Sequence, residues 1–268
     1  MCKGVRTMGI FTRLLLFAFC LSSANLHGAN LVIASDDAPP HMIARTNSGI
    51  DLDIVSQVLT SLGYNLSYTY APLHRAKQMV ISGKADVIVP TFYQQDNEQL
   101  YFSAPIIDYK PTIFSRRKDS LNINDFNDLA HYSVISFQGA TGYFGQAYEQ
   151  AVSKTNYREL HDMSKFPALL LSKRTDIVVL DYYIFYYYLN TIIGNEGDTG
   201  VMSRHQATNY LIQSHPLIPP VSAYAAFYSK ALRDEFNRAL AQFINTKQYE
   251  KIINSYLFST RPDIQTLK

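Results

Sequence analysis

The sequence predicts an α/β protein, and three observations carry that prediction. From Leu31 onward, short apolar runs rich in β-branched residues alternate with amphipathic stretches of helical length, the pattern of βαβ units around a mainly parallel sheet. The pattern reaches a charged stretch, Arg116-Arg117-Lys118-Asp119, and then begins again. Gly63 and Gly83 fall where the first two helices should stop, because glycine takes the left-handed backbone conformation at a helix end at little cost.

Ahead of the first unit, Lys3, Arg6 and Arg13 precede an uncharged apolar run from Leu14 to about Leu21, followed by small residues. That order reads as a secretory signal peptide, and the run is about half of the ~20 residues that span a bilayer. Cleavage is placed after Ala24 or Ala29, with Ala29 preferred, so that residues 1–29 are the signal and the mature chain is periplasmic. Phe19 stands before Cys20, where lipid attachment would want a small residue. Both cysteines, Cys2 and Cys20, leave with the signal, and the core of the remaining roughly 240 residues must hold by packing alone. The signal takes three of the 24 basic residues and none of the 22 acidic ones, so the mature chain carries 21 against 22, a net charge of −1. A near-neutral surface without basic clusters argues against nucleic acid or an anionic membrane as partner.

Strands are expected at Leu31 to Ser35, Asn65 to Tyr70 and Asp86 to Pro90, with helices at Asp51 to Leu62 and Leu73 to Ser82 between them. The second set places strands at Ser133 to Phe137, Tyr157 to Leu160 and Asp176 to Leu180, and helices at Tyr143 to Val152, Ser164 to Ser172 and Tyr183 to Thr191. An irregular segment with Gly194, Gly197, Gly200 and Pro219-Pro220 follows, then an amphipathic region from Leu232 to Leu257 with a turn near Lys247. That ending has no strand set of its own, so its apolar stripe is expected to return to the first unit. The organisation read from this is a first lobe over residues 30–115, a second over 116–220, and a return to the first over 221–268.

The order of these landmarks resembles the bacterial extracellular solute-binding proteins of family 3, which serve polar amino acid transporters. The markers are Gly49-Ile50-Asp51-Leu52-Asp53, Ser82-Gly83-Lys84-Ala85-Asp86, Tyr101-Phe102-Ser103-Ala104-Pro105, Phe137-Gln138-Gly139-Ala140-Thr141-Gly142, Thr175-Asp176-Ile177-Val178-Val179-Leu180-Asp181, and Leu232-Arg233-Asp234 with Tyr249-Glu250-Lys251-Ile252-Ile253. The resemblance covers about Asn30 to Phe258. It implies a two-lobed periplasmic-binding-protein fold of type 2, with crossings near Phe114 to Arg117 and Leu217 to Ala223, and closure of the lobes around a ligand.

In relatives that bind α-amino acids, a Thr and an Arg after the third strand hold the ligand carboxylate. Here Thr91 matches the Thr, and Asp96 stands where the Arg is expected. Arg75, at the start of the second helix, is the substitute cation, or else a solvated helix residue. The Gly139-Ala140-Thr141-Gly142 turn leads into a helix, so the N–H groups around Ala140 and the Thr141 hydroxyl are expected to face ligand oxygens, the alternative being an ordinary cap. Asp181 matches the position that pairs with a ligand ammonium, and can also cap the helix after it. Asp36 closes the first strand toward the cleft, whereas Asp37 is read as a turn residue before Pro39-Pro40. Tyr143 and Tyr182 are the aromatics best placed to cover a ligand, among 20 Tyr and 15 Phe that mostly serve packing.

Asp36, Asp96 and Asp181 together suggest an acidic cleft and a small polar, amine-bearing, amino acid-like ligand, such as an amine or a basic amino acid derivative. No nucleophile with its base, metal spacing or phosphate loop is apparent, so no cofactor or metal is expected and the chain reads as a binding protein, a monomer, rather than an enzyme. His41 and His74 lie near the cleft, with surface or packing roles the commoner account. The partner is expected to be a membrane ABC permease, or alternatively a membrane sensor, with a periplasmic enzyme on the same scaffold as the third reading.

Overall fold

The computed structural model describes residues 28–92, 99–195 and 210–257; the expected signal peptide, nearly all of it, and Asp96 lie outside them. The chain opens with β1 (Asn30–Ser35), α1 (Ile50–Ser61), β2 (Asn65–Tyr70), α2 (Leu73–Ile81) and β3 (Val87–Thr91), and the three strands are parallel with β1 in the middle. One face of α1 buries Ile50, Leu52, Ile54, Val55, Val58 and Leu59 completely or nearly so, each contributing about 1.5–3 kcal/mol of apolar transfer.

Three further strands follow, β4 (Tyr101–Phe102), β5 (Ile107–Tyr109) and β6 (Pro111–Arg116), before the unit repeats as β7 (Ser133–Phe137), α3 (Ala140–Phe144), α4 (Gln146–Val152), β8 (Asn156–Leu160), α5 (Phe166–Leu171), β9 (Ile177–Asp181) and α6 (Tyr182–Asn195). Here β7 takes the middle place between parallel β8 and β9, as β1 does in the first sheet. The chain then adds β10 (Ile212–His215), β11 (Val221–Phe227), α7 (Lys230–Phe243) and α8 (Lys247–Leu257).

The first sheet runs β2-β1-β3-β11-β4, with β5 also paired to β11, and the second runs β10-β6-β9-β7-β8. Each sheet therefore carries one antiparallel strand beside its third parallel one: β11 beside β3, and β6 beside β9. The chain crosses from the first sheet to the second at Lys110, between β5 and β6, and returns over residues 216–220. The expected first crossing, Phe114 to Arg117, falls largely inside β6. Its Arg116 is no surface charge: its Nη1 donates to the Leu170 and Thr175 carbonyls at 2.6 Å each, its Nη2 lies 3.2 Å from Asp176, and its Nε pairs with Asp119.

The spans expected for β2 and β7 coincide with the structure. The single helix expected over Tyr143 to Val152 is instead two, because Gly145 adopts φ 83° between α3 and α4. Strands β4, β5, β6, β10 and β11 were not anticipated, since their pairing is antiparallel to partners far along the chain. At the C-terminus α7 packs on α1 and β11, while α8 packs on α1 and also on α6 of the second lobe.

Candidate functional site

The strand ends of both lobes meet at the junction of the two sheets. Asp181 closes β9 and opens α6. Its Oδ1 accepts the N–H groups of Tyr183 at 2.8 Å and Ile184 at 3.1 Å, capping the helix, and its Oδ2 accepts the Lys110 N–H at 2.7 Å. One side chain thus ties the first crossing to the second lobe.

Across the junction stands His41, in the turn between β1 and α1. Its Nδ1 lies 2.7 Å from Asp51 Oδ1 and its Nε2 lies 3.4 Å from Asp181 Oδ1. Asp51 Oδ2 accepts the Tyr109 hydroxyl at 2.7 Å. The imidazole lies over Tyr109, with ring centroids 4.1 Å apart, and meets Tyr183 edge-on. His41 and Asp51 are only 2% and 0% exposed, so the cluster is cut off from solvent. Burial alone would push the imidazole toward neutrality, but the Asp51 and Asp181 carboxylates outweigh it and raise the His41 pKa to about 10. Burial and the same Asp51 charge hold the Tyr109 hydroxyl well above its ordinary value. An imidazolium between two carboxylates leaves the cluster one net negative charge.

Gly49 makes the approach possible. A Cβ there would stand 2.3 Å from the His41 carbonyl oxygen, and the residue holds φ 135°, a conformation that side chains disfavour. The His41 turn then feeds its carbonyls into the start of α1, where the Ile50 and Asp51 N–H groups donate to Pro40 and His41.

Beside this cluster lies a cavity of about 190 Å³. Phe92, Tyr109, Phe137, Tyr143 and Phe144 form its aromatic walls, and Asp181 is the one charged residue of the lining among the described residues. Leu180, Met163 and Ile184 complete its second-lobe side. Phe92, just after β3, faces Tyr143 of α3 across the opening with ring centroids 6.4 Å apart, and both are 41% exposed. Burial, and then the Asp181 charge, raise the Tyr143 hydroxyl above its ordinary pKa.

Of the residues singled out from the sequence, the fold brings Asp181 and Tyr143 into this cavity. Thr91 ends β3 one residue before Phe92, half-buried and opposite Tyr224. Asp36 accepts the Asp37 N–H at 2.8 Å within its own turn, and Asp37 holds the Ala44 N–H at 3.0 Å. Arg75 is exposed in the first turn of α2. Tyr182 packs on Phe114 and Tyr186, and Ala140 is buried in the second-lobe core.

The Gly139 turn is engaged within the chain. The Glu159 carboxylate accepts the Gly139 N–H at 2.7 Å, the Thr141 N–H at 3.0 Å and the Thr141 hydroxyl at 3.1 Å, and also the Tyr157 hydroxyl at 2.9 Å. Partial desolvation would raise the Glu159 pKa, and these donors more than reverse it. Sequence reasoning passed over Glu159, although an acid and a tyrosine two apart on a strand share one face.

Two α/β lobes joined by two short crossings, with a cavity at the junction of their strand ends, define the type 2 periplasmic-binding-protein fold. Residues 31–259 match the model for bacterial extracellular solute-binding proteins, family 3, and the chain belongs to that family. No curated protein matches the chain at a significant level. Among solved structures it is similar to an ancestral cationic amino acid solute-binding protein (18% identity, TM-score 0.66, 85% of this chain and 96% of that one). It is also similar to YckB of Bacillus subtilis (20%, 0.63, 87% and 91%) and to a histidine kinase sensor domain resembling periplasmic binding proteins (18%, 0.57, 86% and 97%). At such identities these likenesses show the fold. The family and most of the similar structures are binding proteins, and no helix among the described residues is long and apolar enough to cross a membrane.

Proposed function

We propose that the chain is an exported receptor that captures a small amine-bearing solute by closing its lobes and delivers it to an ABC permease. The observation that carries this reading is Asp181. Among the described residues it is the one charged group in the lining of the inter-lobe cavity, and there its Oδ2 accepts a single N–H, from Lys110. A carboxylate oxygen can accept two hydrogen bonds, so a place remains for an ammonium N–H. The aromatic walls suit the same group through cation–π contact. The signal-like N-terminus and the family's extracellular character support a periplasmic location. A second reading, a module that reports the bound solute to a membrane sensor, is favoured by the likeness to the histidine kinase sensor domain.

The test is a thermal-shift screen of the chain freed of co-purified ligand by unfolding and refolding. A true ligand at a hundredfold excess over its dissociation constant stabilises the fold by about 2.7 kcal/mol. An amine should raise the melting temperature of the wild type, and Asp181→Asn, which keeps an acceptor for the α6 cap, should abolish the rise. A response to anionic solutes alone, or equal responses from both proteins, would sink the reading. Stimulated uptake of the same amine by membrane vesicles carrying the permease separates transport from sensing.

A further inference from the structure

We infer that the solute is an arylalkylamine without a carboxylate, rather than an α-amino acid. This rests on the amine-binding reading above and goes beyond it by fixing the rest of the ligand. An α-amino acid presents a carboxylate beside its ammonium, and burying that carboxylate requires donors at the site. The family-type turn offers them, but the N–H groups of Gly139 and Thr141 and the Thr141 hydroxyl are all taken by Glu159. The turn is filled by an anion belonging to the chain itself.

Among the described residues, the lining of the cavity supplies no cationic replacement. It contains no Arg, Lys or His among the described residues, and its polar side chains there are Tyr109, Tyr143 and Asp181. The Tyr109 hydroxyl is committed to Asp51. Adjacent to the cavity, His41 and Asp51 are paired with each other and the Lys110 ammonium lies 5.5 Å from the Tyr183 ring, so the group bordering the cavity that attracts a cation is the Asp181 carboxylate. A ligand complementary to this lining has one ammonium for Asp181 and a flat apolar body for the rings. Phe92 and Tyr143, exposed at the opening and already meeting edge-on, are placed to cover such a body with the edge-to-face contacts that aromatic rings prefer.

Isothermal titration of the full exported chain with three near-isosteric probes tests this. Phenethylamine has the ring and ammonium, phenylalanine adds the carboxylate, and 3-phenylpropionate keeps the carboxylate alone. Phenethylamine is expected to bind, phenylalanine to bind at least about a hundredfold more weakly because its carboxylate finds no donor, and 3-phenylpropionate not to bind. Phe92→Ala, at an exposed position, is expected to weaken phenethylamine about tenfold. Phenylalanine binding as tightly as phenethylamine overturns the inference and leaves the amine reading standing. So does tight binding of an aliphatic amine such as putrescine with no response to phenethylamine. Binding of 3-phenylpropionate alone overturns both.

Discussion

His41 holds its charge only because two carboxylates from different lobes face it, Asp51 from α1 and Asp181 from the end of β9. Tyr109 and Tyr183 close the remaining sides, and Lys110 lies 5.5 Å from the Tyr183 ring. With a folded-state pKa of about 10 against 6.5 for the free side chain, protonation favours the folded state. That stabilisation is fully present below about pH 6.5 and is lost as pH rises through about 10. The melting temperature of the wild type should therefore fall steadily across this window, before the buried tyrosines begin to ionise. His41→Gln should flatten the slope and cost about 3–5 kcal/mol at neutral pH, since it leaves two buried carboxylates facing one another. A melting series from pH 6 to 10 on both proteins measures this, and parallel curves would mean that His41 is neutral in the fold.

At the scale of elements, α1 depends on a residue from the far end of the chain. The helix has no side-chain cap of its own; the Tyr256 hydroxyl of α8 accepts the Gly49 N–H at 2.7 Å and donates to Asp53 Oδ2 at 2.6 Å. Tyr256→Phe is expected to destabilise the protein by about 1–3 kcal/mol, read as a lower urea midpoint with an unchanged slope. The elements that were legible in the sequence are those whose signal is local: the parallel strands with their β-branched runs, and the helices stopped by Gly63 and Gly83. Strands β6 and β11 were not, because their pairing with β9 and β3 depends on where the chain crosses at Lys110, and no neighbouring residue announces that. The site divides in the same way. An acid at a strand end before a helix, as at Asp181, is a local signal of a polar group at the cleft. The capture of the Gly139 turn by Glu159 depends on the register that sets Ser136 beside Glu159. The aromatic wall from Phe92 to Tyr143 depends on how the lobes meet.

For the whole molecule, the motion that the fold permits is a rotation of one lobe on the other about Lys110 and residues 216–220. Saturation with phenethylamine should reduce the radius of gyration in small-angle scattering, and an unchanged value would mean capture without closure. The buried bond pattern of His41 sets a limit on the open state, since parting it from Asp181 exposes an ion cluster that is otherwise dry.

The return of the chain to its first lobe also sets an order of events during folding. All five strands of the second sheet lie between Pro111 and His215, so that lobe can assemble before the C-terminal segment docks. The first sheet has to wait for β11, and α1 for Tyr256, contacts more than a hundred and two hundred residues apart in sequence. Contacts so distant are slow to form. Pulse-labelled hydrogen exchange during refolding should protect β7 and β9 before β1 and β3. The half of the chain made first is therefore completed last, and until β11 and α8 dock, the first sheet and α1 lack their covering partners.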